Sequence, residues 1–149
     1  MSEKALQEAL QITLRTLPGW NSQVTVVIND WRIMDGSLEN APYALIETAD
    51  SVTSQLDQMI PVTNWQIPVT LFCRFTDWQE TYNQMRDLRQ AALNEIAGNE
   101  HFTDWLVNVV RTEGPIGEWY DPHQNPANNP MPIFVTQRLI LEIEETNCV

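Results

Sequence analysis

The sequence predicts an α+β fold, a single domain over residues 1–149 with a mainly antiparallel sheet flanked by an N-terminal helix and a central helix. Three observations lead there. A leucine stripe at helical spacing opens the chain, stretches of period-two alternation fill its middle and end, and a capped helical stripe interrupts the strands only once. Strands in runs, rather than strict strand–helix alternation, favour antiparallel pairing with helices on one face. A chain of 149 residues suits one domain and can bury about 68–70% of its unfolded surface.

Leu6, Leu10, Leu14 and Leu17 line one side of the first helix, which Ser2 can cap and Pro18-Gly19 stops. Val24, Val26 and Ile28 alternate with Thr25 and Val27 as a strand. A polar loop around Asp35-Gly36 and Asn40-Ala41-Pro42 leads to a short strand, Tyr43 to Thr48. Val52, Leu56 and Ile60 suggest a more exposed strand through 51–60. The clearest strand is Trp65 to Phe75, with Trp65, Ile67, Val69, Leu71, Cys73 and Phe75 on one face. Pro68 has no N–H to donate, which predicts a position near a strand start or at a sheet edge.

Asp77 and Glu80 have the spacing of a capping box, and Trp78, Tyr82, Met85, Leu88, Ala92 and Ile96 continue as a helical stripe up to Gly98. Trp65 and Trp78, both on apolar faces, are expected to pack in the core. From Phe102 to Val110 no clean period emerges; the expectation is a turn of helix leading into a strand near 107–112. Gly114-Pro115-Ile116-Gly117 is read as a turn between two strands. After the proline-rich stretch Tyr120–Pro132, a last strand runs from Ile133 to Glu144.

Charge restricts the function. Eight Lys and Arg stand against twenty Asp and Glu, a net charge of −12. The basic residues are scattered, so the chain is not expected to grip nucleic acid or an anionic membrane, which needs clustered cations. No apolar run is long enough to span a bilayer, and the polar, acidic N-terminus is unlike a signal peptide. Cys73 and Cys148 form no Cys-x-x-Cys motif, which suits a reducing compartment, and Cys73 falls in a strand pattern as a small core residue.

Chemistry is equally sparse. The histidines, His101 and His123, stand alone; Asp121 could orient His123, but no nucleophile accompanies them. Two cysteines and two isolated histidines do not assemble a metal site. The five glycines match no phosphate-binding loop. The carboxylates include no pair set apart for acid–base work and are read as solvated surface. The chain is therefore read as a non-enzyme without metal or cofactor, its function carried by its surfaces.

Six tryptophans are many for this length, and tryptophan concentrates at interfaces. Trp20, Trp31 and Trp119 adjoin turns and are candidates for a subunit contact. The last strand points the same way. At roughly 3.3 Å per residue it would be about 40 Å long, the diameter of a domain this size. Either it bends, or one end pairs with a neighbouring copy.

The order of elements resembles the tail terminator (tail completion) proteins of long-tailed bacteriophages. The resemblance rests on the N-terminal helix, the strands Ala41–Glu47 and Pro68–Phe75, the helix 77–97 that follows directly, and the closing strand Pro132–Ile143. It implies a homo-oligomeric virion protein, made in the host cytoplasm. Six copies would form a ring that caps the tail tube, ends its polymerisation and docks a head completion or neck protein. DNA would pass through the lumen without specific binding, which an acidic chain favours, and no membrane is involved. The resemblance brings no catalytic residues. It makes the loops holding Asp35 and Tyr120–His123 candidates for contacts along the tail axis, with Arg138 a further candidate. Two alternatives remain open: another tail or neck subunit, such as a tube or head–tail joining protein, and a tryptophan-rich module binding a small molecule or carbohydrate.

Overall fold

A computed structural model describes residues 3–20, 23–29, 42–54, 62–98, 105–120 and 131–146. The leucine stripe forms helix α1, Glu3–Arg15. Leu6, Leu10, Leu14 and the following Leu17 are buried, each such side chain contributing roughly 1.5–3 kcal/mol. The helix ends before Pro18-Gly19, where Gly19 takes a φ of 86°, a left-handed conformation that glycine adopts without a Cβ clash. Two glutamines tie α1 to the sheet: Gln7 donates to the Glu47 carbonyl at 3.1 Å, and Gln11 to the Val26 carbonyl at 3.2 Å.

Among the described residues, six strands form one sheet: β1 (Thr25–Ile28), β2 (Tyr43–Ile46), β3 (Asp50–Ser54), β4 (Val62–Arg74), β5 (Trp105–Trp119) and β6 (Phe134–Thr146). Their spatial order is β1-β2-β4-β6-β5, with β3 also paired to β4. All described pairings are antiparallel except β1 with β2. The α+β reading with a mainly antiparallel sheet therefore holds.

The final strand differs from expectation in place rather than length. β6 is neither an edge nor overhanging: it pairs with β4 from Val62↔Thr146 to Arg74↔Phe134, and with β5 on its other side. Two strands of similar length flank it, so it crosses the domain wholly inside the sheet. Pro68 likewise sits in the central strand β4, opposite Ile140. Its carbonyl accepts from Glu47 N at 3.0 Å, on the side where β2 gives way to β3. In a strand the N and O of one residue point to the same side, so the missing N–H faces the Glu47 carbonyl at that break, and that carbonyl accepts from Gln7 Nε2 instead.

The region after the central helix departs further. Trp105 to Trp119 is one strand, where a strand near 107–112, a turn and a further strand are expected; residues 99–104, on which part of the expected helical turn falls, lie outside the described residues. Gly114-Pro115-Ile116 is a bulge inside it, between the pairs Glu113↔Arg138 and Gly117↔Thr136, with Gly114 at φ 71°. A second irregularity lies between Val107 and Val109. The weak strand expected over 51–60 is present as β3; residues 55–61 lie outside the described residues.

Helix α2, Trp78–Gly98, begins as the capping pattern requires: Glu80 N donates to Asp77 Oδ1 at 3.0 Å. Its buried line is Thr81, Met85, Leu88, Ala92 and Ile96. Trp78 was expected in that line but is 47% exposed. It stands on the first turn beyond the end of β4, so no sheet lies beneath it, and it packs on Phe75 and Tyr82 instead. Trp65 packs, half-buried, against the main core as expected.

Both helices lie on the same face of the sheet, α1 over β1 and β2, α2 over β4, β5 and β6. Their leucines and the inward residues of β4 and β6 make the main core. The opposite face has a smaller cluster of Tyr43, Leu45, Phe72 and Phe134, joined by Val27, Trp119 and Ile133. Its three central rings meet at centroid distances of 5.1–5.8 Å, two of the three pairs edge to face, a favourable aromatic geometry.

Candidate functional site

The residues proposed from sequence as contacts do not converge on one place. Trp20 is half-buried against the main core, in the turn after α1. Trp119 packs its ring 5.9 Å from Phe134, on the opposite face. Tyr120 follows it at the end of β5 and is 40% exposed. Trp31, Asp35 and His123 lie outside the described residues.

Arg138 lies near the middle of the helix-free face. Its Nε is 3.3 Å from Glu47 Oε2 and its Nη1 3.8 Å from Glu113 Oε1. Thr70 donates to the same Glu47 oxygen at 3.1 Å. One guanidinium thus links the end of β2, across β4 and β6, to β5. The arrangement braces the sheet sideways; its cation is already engaged by two carboxylates.

A different cluster forms where β4 ends and α2 begins. Phe75 and Trp78 meet edge to face at 4.9 Å, and Trp78 and Tyr82 tilt together at 6.1 Å. The Tyr82 hydroxyl donates to the Glu118 carboxylate on β5, and that hydrogen bond, with some burial, pushes the phenol up to about 12. Trp78, Gln79, Tyr82, Asn83 and Arg86 line an open groove of about 440 Å³ along the outer side of α2. A smaller, more enclosed depression of about 350 Å³ lies on the flank facing α1, between Pro18 and residues 87–95.

Sequence reasoning misses this groove because Trp78 and Tyr82 both fall in the apolar stripe of α2; Tyr82, half-buried, does pack on the main core, and only Trp78 leaves it. The available signal was Trp78, Tyr82 and Arg86 at i, i+4 and i+8. Those positions share one helix side, offset from the buried line through Thr81 and Met85.

Among the described residues, no three His, Cys, Asp or Glu side chains gather where they could hold a metal ion. Burial pushes the Cys73 thiol up to about 12, far from the thiolate a nucleophile needs. No described helix is long and apolar enough to cross a membrane. What the geometry offers is contact surface: aromatic rings, amides and an arginine on α2 and, among the described residues, the strands β1, β3 and β5 that each have a single partner strand. No family model matches the chain, and no curated protein matches its sequence.

Proposed function

We propose that this chain is a structural subunit of a phage tail terminator ring. It would cap the tail tube at its head-proximal end, stop tube growth, and present a docking face to a head completion or neck protein. The observation that supports this best is the unlike character of the sheet's two ends. At one end β1 has four residues in parallel pairing; at the other β5 has fifteen residues and a bulge. Open strand edges invite pairing with another chain. A subunit whose two sides differ associates head to tail, and such contacts close into rings when the rotation permits.

Charge agrees with the role. At −12 per copy, a lumen lined by several subunits would repel DNA phosphates and let the genome pass. The ring would be part of the virion, assembled from protein made in the host cytoplasm.

Native mass spectrometry and negative-stain imaging test the reading. A six-membered ring that binds the ends of purified tail tubes is the expected result. A strict monomer at micromolar concentration, with tryptophan fluorescence quenched by a sugar, would instead favour the carbohydrate-binding alternative, for which the Trp78–Tyr82 groove would be the site.

A further inference from the structure

Among the described residues three strands have a single partner, and as docking edges they are unequal. β1 and β3 offer four and five residues, β5 fifteen. β1 is also partly capped. Thr25 N donates to the Pro42 carbonyl just before β2, so Val26 faces the open side, where its carbonyl accepts from Gln11 of α1. β5 is bare by comparison. Arg111, Thr112, Glu113, Gly114 and Pro115 are all exposed, although successive side chains of a strand point to opposite faces. A bare row of N–H and C=O groups is completed by another strand.

The charges name that strand. On the helix-free face a row of alternating sign runs Glu47, Arg138, Glu113 and stops at the β5 edge on an anion. The Glu113 side chain is 47% exposed, and its contact with Arg138 is long at 3.8 Å. The β5–β6 ladder is regular from Val109 to Glu113, so Arg111 lies on the same face two positions away. Its side chain makes no ion pair or hydrogen bond among the described residues. Thr112, between the two charges, is midway between Trp105 and Trp119, the ends of β5.

An antiparallel copy related by a two-fold axis at Thr112 therefore overlaps the whole strand and sets Arg111 opposite Glu113 twice. Directly opposite side chains stand about 4.5–5.5 Å apart at Cβ, and the like-charged diagonals (Arg111 with Arg111, Glu113 with Glu113) about 7–8 Å, so attraction wins. The row then continues Glu47, Arg138, Glu113 and Arg111 of the second copy. Parallel pairing in register would set each charge against its like.

We propose that two copies of this chain pair through β5, antiparallel about Thr112, as a closed two-fold dimer. The contact goes beyond the ring reading and does not rest on it. A pair closed in this way has no β5 edge left, so ring contacts through that edge compete with it.

Charge exchange tests the dimer. Arg111→Glu leaves only acids beside the axis and Glu113→Arg only bases, so each variant alone should dimerise about tenfold more weakly by analytical ultracentrifugation. Mixed in equal amounts, they should recover wild-type affinity as one-to-one heterodimers, because every opposite pair is then unlike. Glu113 also meets Arg138, so a further variant leaves that contact intact. Thr112→Cys, in a Cys148→Ser background, should cross-link two copies under mild oxidation, since opposite Cα atoms about 4.5–5.5 Å apart suit a disulfide. Val109→Cys, which would stand opposite Pro115, should not. Wild-type protein that is monomeric at micromolar concentration, or charge variants that dimerise as tightly as wild type, overturns the pair. Rings on tube ends without a Thr112→Cys cross-link also overturn it and leave the ring reading standing. Cross-linked pairs, with wild-type protein that binds no tube ends, do the reverse.

Discussion

Gln137 is almost fully buried, on the face of β6 covered by the helices. Its amide is used at both ends: Oε1 accepts from Arg89 Nη1 at 3.1 Å, and Nε2 donates to the Gly114 carbonyl at 3.2 Å. One side chain thus holds the β5 bulge to α2. Gln137→Met keeps the size and removes these bonds, together with a third from Nε2 to the Arg138 carbonyl, leaving the bulge carbonyl without this donor. A loss of about 1–3 kcal/mol is expected, read from the urea midpoint. Asp77→Ala, which removes the helix cap, should cost about 1 kcal/mol by the same measurement. Cys73 and Tyr43 carry a pH effect. Burial pushes both groups up to about 12, from ordinary values of 9 and 10. Below those ordinary values both states hold the protons and the stability is fully present. Above them the unfolded chain ionises first, so stability should fall from about pH 9 towards pH 12. Urea titrations at pH 7, 9 and 10.5 (about one step on each side of the first transition) should show the midpoint dropping only after the second. Cys73 should react with thiol reagents only on unfolding.

The sheet is braced across its strands as well as along them. Arg138 joins Glu47 and Glu113 over three strand boundaries, though its side chain is 43% exposed and solvent weakens the pairs. Arg138→Glu would bring three carboxylates together. A destabilisation of about 1 kcal/mol is expected, partly relieved by added salt, with melting temperatures at low and high ionic strength as the readout. Any defect of that variant in assembly must therefore be separated from weakened folding. At the same scale, α2 turns two sides to different uses: Met85, Leu88, Ala92 and Ile96 into the core, and Trp78 and Arg86 outward, with Tyr82 half-buried between the two. An amphipathic helix with a second, aromatic stripe has more apolar surface than its own sheet can cover.

For the molecule as a whole, the pairing order sets what is protected and what is open. β4 and β6 have neighbours on both sides; β1 and β5 end the sheet. Amide exchange should be slowest in β4 and β6 and faster along β5 in the dissociated protein. If copies join through their edges, assembly should slow exchange in β5, and exchange there that is indifferent to assembly would count against edge pairing. The acidic total of −12 is a whole-molecule property too: copies repel at long range, so the proposed self-association would have to come from local contacts.

The local alphabet of this fold was legible in the residues themselves. Period-two alternation marked β4 and β6, the leucine stripe marked α1, and Asp77 marked the start of α2, because each signal depends only on neighbours a few positions away. Three things were decided by the tertiary structure. Trp78 belongs by spacing to the buried stripe, yet the sheet ends before reaching it. Gly114-Pro115-Ile116 carries turn residues, but the continuous partner β6 holds the chain in strand on both sides and turns it into a bulge. The final strand had the length of an edge seeking a partner and proved to be central, flanked by β4 and β5. In each case the deciding contact comes from a segment distant in sequence, and periodicity carries no record of which strand lies alongside. The groove on α2 follows the same logic: the residues were visible, but their exposure depended on where the sheet stopped.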